Sequence, residues 1–178
     1  MNTLVCNIYS GPGCGKSTLA AEVFAELKKQ GQSVELVHEF AKKWAWLDHP
    51  IKGWADNFYV FSKQLRSEAI LYGKVEYIVT DSPLGLAPAY EKLYTPENTL
   101  LWDTYTRVRE MQAKEGTVEN LNFHLMRQFD YKSEGRYENE EFALKADQII
   151  RSMHHGFHVK TAKDVLEVLV HHRRDQKT

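Results

Sequence analysis

The run Ser10-Gly11-Pro12-Gly13-Cys14-Gly15-Lys16-Ser17-Thr18 combines the side chains and the backbone freedom needed to hold a polyphosphate. Glycines let the chain fold tightly enough for consecutive N–H groups to point inward, and a helix opening at Lys16 adds its positive end. In such a cradle Gly11, Gly13, Cys14, Gly15 and Thr18 line the anion. The Lys16 ammonium reaches the β- and γ-phosphates, and the Ser17 hydroxyl can ligate Mg2+.

This run resembles the loop of the P-loop NTPases, whose pattern is G-x-x-x-x-G-K-[ST], with Ser10 where the first glycine belongs. Two carboxylates stand where they can serve it. Asp81 ends an apolar run as a Walker B aspartate does, and would hold Mg2+ directly or through water. Glu39 ends another run and is placed to accept a proton from an acceptor hydroxyl. The reverse assignment stays open, and a solvated strand-end acid or a helix cap is the bland alternative for each.

Phosphoryl transfer also needs cations that close over the developing charge, usually from a polar segment. Residues 127–142 fit a lid, with Arg136 favoured over Arg127 as the cation and Lys132 behind both. Trp44, Trp46, Trp54, Phe58 and Tyr59 follow Glu39 closely enough for a planar base to stack among them, although core packing explains most aromatic clusters. Gln64 has the donor and acceptor pair that a base edge requires, but reads equally as a surface amide. His154, His155, His158, His171 and His172 suggest a metal only superficially, since His154 and His158 straddle a predicted helix end and lose the i, i+4 geometry.

The elements that must position these groups alternate between strand and helix. Strands are predicted at 4–9, 33–37 and 77–81, a fourth between 118 and 126, and a short one at 157–159. Helices are predicted from Lys16 to a stop at Gly31, from Ala55 to a stop at Gly73, from Thr95-Pro96 to about Lys114, on the Phe142 to Met153 face, and after the capping pattern Thr161-x-x-Asp164. Residues 40–54 read as a short helix and a loop, and 127–139 as an exposed loop. Alternation of this kind implies crossover connections and a mostly parallel five-stranded sheet with helices on both faces, an α/β three-layer arrangement of the P-loop NTPase type.

The chain has 178 residues, which suits a single domain. Hydrophobic residues at 43% and charged residues at 26% exclude wholesale disorder. Lys+Arg 23 against Asp+Glu 24 gives a formal charge of −1, so no global field drives the chain onto nucleic acid or membrane. The two cysteines are too few for a disulfide framework, and neither a signal peptide nor an apolar span is evident, so a reducing, cytoplasmic location is expected.

Beyond the loop, the segments H-E-F-A-K-K, T-D-S-P and G-R-Y-E-N-E-E-F-A-L-K-A-D-Q-I-I look like those of the kinase domain of nicotinamide riboside kinases and the related small AAA-type ATPase/kinase group of bacteriophages. Lys42 stands where that group often has Arg. The resemblance implies ATP·Mg-dependent transfer of the γ-phosphoryl group to a nucleoside or nucleotide, with Lys16 and Arg136 neutralising charge, Ser17 and Asp81 holding the metal, and Glu39 activating the acceptor. Two other readings compete. One is a kinase of a hydroxymethyl pyrimidine within DNA; the other is an ATP-binding module that controls a partner without transferring phosphate.

Overall fold

The computed structural model describes residues 2–46, 53–128 and 139–175. Five strands, β1 (Thr3–Tyr9), β2 (Val34–Val37), β3 (Tyr77–Thr80), β4 (Val118–Leu125) and β5 (Phe157–Val159), form one sheet in the order β2-β3-β1-β4-β5. Every pairing is parallel. The chain leaves β1, builds β2 and β3 on one side, then crosses to β4 and β5 on the other. In open parallel sheets such a reversal marks the usual ligand position, outside the carboxyl ends of the central strands.

β1 is buried along its whole length, and its side chains divide by parity. Leu4, Cys6 and Ile8 pack with Leu19, Ala20, Val23 and Leu27 of α1 (Lys16–Lys29) and with Val165 and Leu169 of α7 (Ala162–Asp175). Val5 and Tyr9 face the opposite layer. That layer contains α3 (Gly53–Ala69), α4 (Leu86–Tyr94), α5 (Leu100–Glu115) and α6 (Glu140–Met153), while α2 (Ala41–Trp46) follows β2. Burial on both faces explains why β1 reads as a nearly continuous apolar run rather than an alternating one.

Gly31 stops α1 where the sequence puts the stop, whereas α3 ends at Ala69, short of the expected Gly73. Gly31 and Gly73 lie at positive φ, 76° and 71°, a conformation that costs glycine little. At Gly31 the bond from its N–H to the Lys28 carbonyl and that from Gln32 N–H to the Leu27 carbonyl close α1. The α7 cap forms as predicted, with Asp164 N–H donating to Thr161 Oγ1 and the Asp164 carboxylate accepting from the Lys160 and Thr161 amides.

The region after β3 differs from the expectation. Thr95 closes α4 instead of opening the next helix: its amide and hydroxyl both donate to the Glu91 carbonyl. α4 itself was masked by the turn-like sequence Ser82-Pro83-Leu84-Gly85, and by Pro88. Pro88 falls in the first turn, where a missing N–H costs nothing. α5 then starts at Leu100, and its leading amides are capped from another helix: the buried Glu91 carboxylate accepts from Leu101 N–H at 2.9 Å and Trp102 N–H at 3.3 Å.

Candidate functional site

The loop between β1 and α1 has the shape its glycines allow. Gly13 and Gly15 take positive φ, 77° and 96°, strained for any residue with a Cβ. Gly11 answers a different need. A Cβ there would lie 2.5 Å from the Ala143 carbonyl oxygen and 2.9 Å from Asp147 Oδ1, so glycine lets α6 press against the loop. Cys14 is buried, and its thiol donates to the Leu125 carbonyl at the end of β4 at 3.4 Å. Burial raises the Cys14 thiol above its ordinary range, which makes it a packing group rather than a nucleophile.

Lys16 turns its ammonium back into the loop, donating to the Ser10 carbonyl at 2.9 Å and the Gly11 carbonyl at 3.1 Å. Burial lowers its pKa, while Glu39, Cys14, Asp81 and Asp147 pull in the opposite direction. Both sequence-predicted carboxylates therefore act on the predicted lysine. Ser17 is half-buried and Thr18 exposed at the start of α1.

Asp81, only 2% exposed at the end of β3, accepts a hydrogen bond from the Glu39 amide at 2.9 Å. The next amide, Phe40 N–H, donates to Gln64 Oε1 at 3.2 Å, and Gln64 Nε2 donates to Thr80 Oγ1 at 3.4 Å. Gln64 is thus not a surface amide. It is a buried cross-tie, and with Asp81 it fixes the backbone that carries Glu39.

Beside Glu39, Trp44 stacks on Tyr59 with ring centroids 5.4 Å apart and planes at 16°, and Phe40 meets both edge-on. These rings stack on one another at the surface, with Tyr59 44% exposed. Trp46 and Trp54, by contrast, are 74% and 65% exposed.

The predicted lid divides. Arg136 and Lys132 lie outside the described residues, as do 47–52 of the aromatic segment. The described flanks of the lid are coil, exposed at Gln128 and Asn139, yet anchored at both ends. Asn139 caps α6 by accepting from Phe142 N–H, and Arg127 is pinned beside the phosphate loop. Its guanidinium bonds Asp147 Oδ2 through Nε at 3.1 Å and Nη2 at 2.9 Å, and Nη2 also donates to the Pro12 carbonyl at 3.0 Å. Asp147 Oδ1 in turn accepts from Gly11 N–H at 2.5 Å.

Asp147 is the site residue that motif reading missed. A signal was present: it is a carboxylate on the buried face of α6, among Ala143, Ala146 and Ile150, where small neighbours permit close approach. Among the described residues no group of three or more His, Cys, Asp or Glu is arranged to hold a metal. No helix among them is long and apolar enough to cross a membrane.

No protein-family model matches the chain, and no curated protein matches it by sequence. Solved structures do match in shape. A deoxyadenosine kinase from M. mycoides, with the products dCMP and a flexible dCDP bound, aligns over 97% of this chain and 99% of its own at 16% identity and a TM-score of 0.54. The same enzyme with bound dATP aligns over 97% and 99% at 16% identity, TM-score 0.48, and an APS kinase from Mycobacterium tuberculosis over 86% and 99% at 13% identity, TM-score 0.45. The fold is the three-layer α/β P-loop fold, with a fully parallel five-stranded sheet.

Proposed function

We propose that this chain is an ATP- and Mg2+-dependent phosphotransferase that moves the γ-phosphoryl group to a hydroxyl or phosphate of a nucleoside or nucleotide. One observation supports this above the rest: Lys16 in the glycine loop feels both Glu39 and Asp81, and Asp81 holds the amide of Glu39. A loop that merely bound anions would need no buried acid after β3 fixing the backbone of a second acid after β2. The name of the deoxyadenosine kinase that shares the fold favours a nucleoside-like acceptor.

The residues present suit a magnesium nucleotide: Mg2+ takes hard oxygen ligands, one or two from protein and the rest from phosphate and water, and Ser17 at the start of α1 and Asp81 after β3 supply such oxygens. Ser17 and Asp81 are the oxygens proposed to hold it, and the bound ion would neutralise charge on the β- and γ-phosphates.

The protein's own groups do the rest. Inward amides of Gly13 to Thr18 bind the polyphosphate, and the Lys16 ammonium, which has three donors, keeps the Ser10 carbonyl and exchanges that of Gly11 for phosphate oxygens. Glu39, its backbone fixed by Asp81 and Gln64, takes the proton from the acceptor hydroxyl as that oxygen attacks phosphorus. The Trp44–Tyr59 stack lies beside it and offers a wall to a planar base. Arg136 is proposed as the closing cation on sequence grounds.

Incubation with γ-labelled ATP and a panel of nucleosides, nucleotides and duplex DNA tests the reading. Lys16→Ala should abolish transfer, and Glu39→Gln should slow it about 100-fold or more while ATP binding stays near the parental value. Transfer at the parental rate by Glu39→Gln would remove Glu39 as the base. Labelling of no acceptor, with hydrolysis stimulated by DNA, would replace the kinase reading with the ATP-binding module.

A further inference from the structure

A single peptide unit joins the phosphate loop to α6. The carbonyl of Ser10 accepts from Lys16 Nζ at 2.9 Å, while the N–H of the same peptide, belonging to Gly11, donates to Asp147 Oδ1. The two groups of a trans peptide point in opposite directions, so a carboxylate that fixes the N–H also aims the carbonyl. The following stretch is held as well, because the Arg127 guanidinium bridges Asp147 Oδ2 and the Pro12 carbonyl. The contact is built for proximity: a Cβ on Gly11 would collide with both the Ala143 carbonyl and Asp147.

We propose that Asp147 is a positioning residue for nucleotide binding, setting the Lys16 ammonium through the Ser10–Gly11 peptide, with Arg127 orienting the Asp147 carboxylate. The proposal rests on the reading that this loop binds a nucleoside triphosphate. It adds a control that no loop residue supplies. The anion on α6 and the cation at position 16 are linked by a polarised hydrogen-bond chain, and such chains strengthen when both ends are charged.

Calorimetric titration with ATP and Mg2+ reads this directly, without any acceptor. Parent protein, Asp147→Asn, Arg127→Gln, Lys16→Ala and the double variant Lys16→Ala/Asp147→Asn are compared, each also unfolded thermally without nucleotide. Asp147→Asn keeps the shape and one accepting oxygen, so it should fold. Its affinity should drop about tenfold below the parent's, and the same substitution should cost nothing further once Lys16 is gone, because the two act as one unit. Arg127→Gln should weaken binding by a smaller factor, since it leaves the Asp147 carboxylate on the Gly11 amide. An Asp147→Asn protein with parental affinity, or one whose full loss recurs in the Lys16→Ala background, would overturn the proposal and reduce Asp147 to a structural tie. Failure of the parent itself to bind ATP would instead overturn the triphosphate reading, and is read from a different arm of the experiment.

Discussion

The two layers that cover the sheet are made of different material. Between the sheet and α1 with α7 the core is mostly aliphatic, with Phe24, Tyr77, Phe123 and two thiols among it, and burial pushes one of these thiols, Cys6, up to about 12. On the α3 to α6 side the same strand presents Asn7, which donates to Asn120 and Asn122, and Tyr9, which stacks on His154 with centroids 4.7 Å apart. Glu68, Tyr72, Arg109 and Gln112 continue the polar layer: Tyr72 donates to Glu68 at 3.1 Å, and Gln112 donates to Tyr72 at 2.8 Å while accepting from Arg109 at 2.9 Å. The first layer is a support. The second carries Gln64, Asp147 and the helices behind the crevice, and its stability should depend on pH where the first layer's does not.

Truncating the dry layer should have the largest effect. Leu19→Ala should cost about 3 kcal/mol in urea denaturation, with an unchanged pH profile, because only transfer and cavity terms are lost. A cost that varied with pH would show that the two layers are not independent.

Glu68 and His154 should give the next effect, through slopes of opposite sign. Burial raises the Glu68 carboxyl to about 7, against the pull of Arg109 and the Tyr72 hydrogen bond. The folded state therefore binds the extra proton between about pH 4.5 and pH 7, and this contribution to stability is lost as pH rises through that window. Burial lowers the His154 imidazole to about 4, so its contribution is present above pH 6.5 and lost as pH falls toward 4. In the parent the two slopes oppose each other over most of their range. Glu68→Gln should remove one, leaving stability that climbs between about pH 4 and pH 6.5 and a gain on the order of 2 kcal/mol at pH 8. A Glu68→Gln profile parallel to the parent's would show that Glu68 titrates normally.

Smallest of all should be the exposed Arg107–Glu110 pair on α5, whose oxygen and nitrogen lie 2.8 Å apart. Arg107→Ala should change stability by less than about 0.5 kcal/mol, and less still in high salt.

Much of this was legible in the sequence, for reasons that differ from part to part. The glycine loop announces itself because its chemistry demands fixed residue types at fixed spacing, and the strand-end positions of Glu39 and Asp81 follow from apolar runs that stop at an acid. The helix stop at Gly31 is legible because positive φ selects glycine, while α3 ends at Ala69 before the glycine at 73. α4 was not, because a proline in a first helical turn looks like a loop until its neighbours are seen. The fates of Gln64 and Asp147 were hidden more deeply. Their partners lie 24 and 136 residues away in sequence, and no local pattern reports contacts at that range. Arg127 was legible as a cation, and its place beside Pro12 only as a consequence of how α6 docks.

The Glu91 carboxylate has a mechanical consequence. The opening amides of a helix ordinarily have no acceptor within their own helix and trade their protons with solvent quickly, but those of Leu101 and Trp102 are held by a buried side chain from the preceding helix. Any swing of α5 must therefore drag α4 with it, so the pair acts as one lever hinged at the short connection between them, and deuterium should enter its inner end slowly.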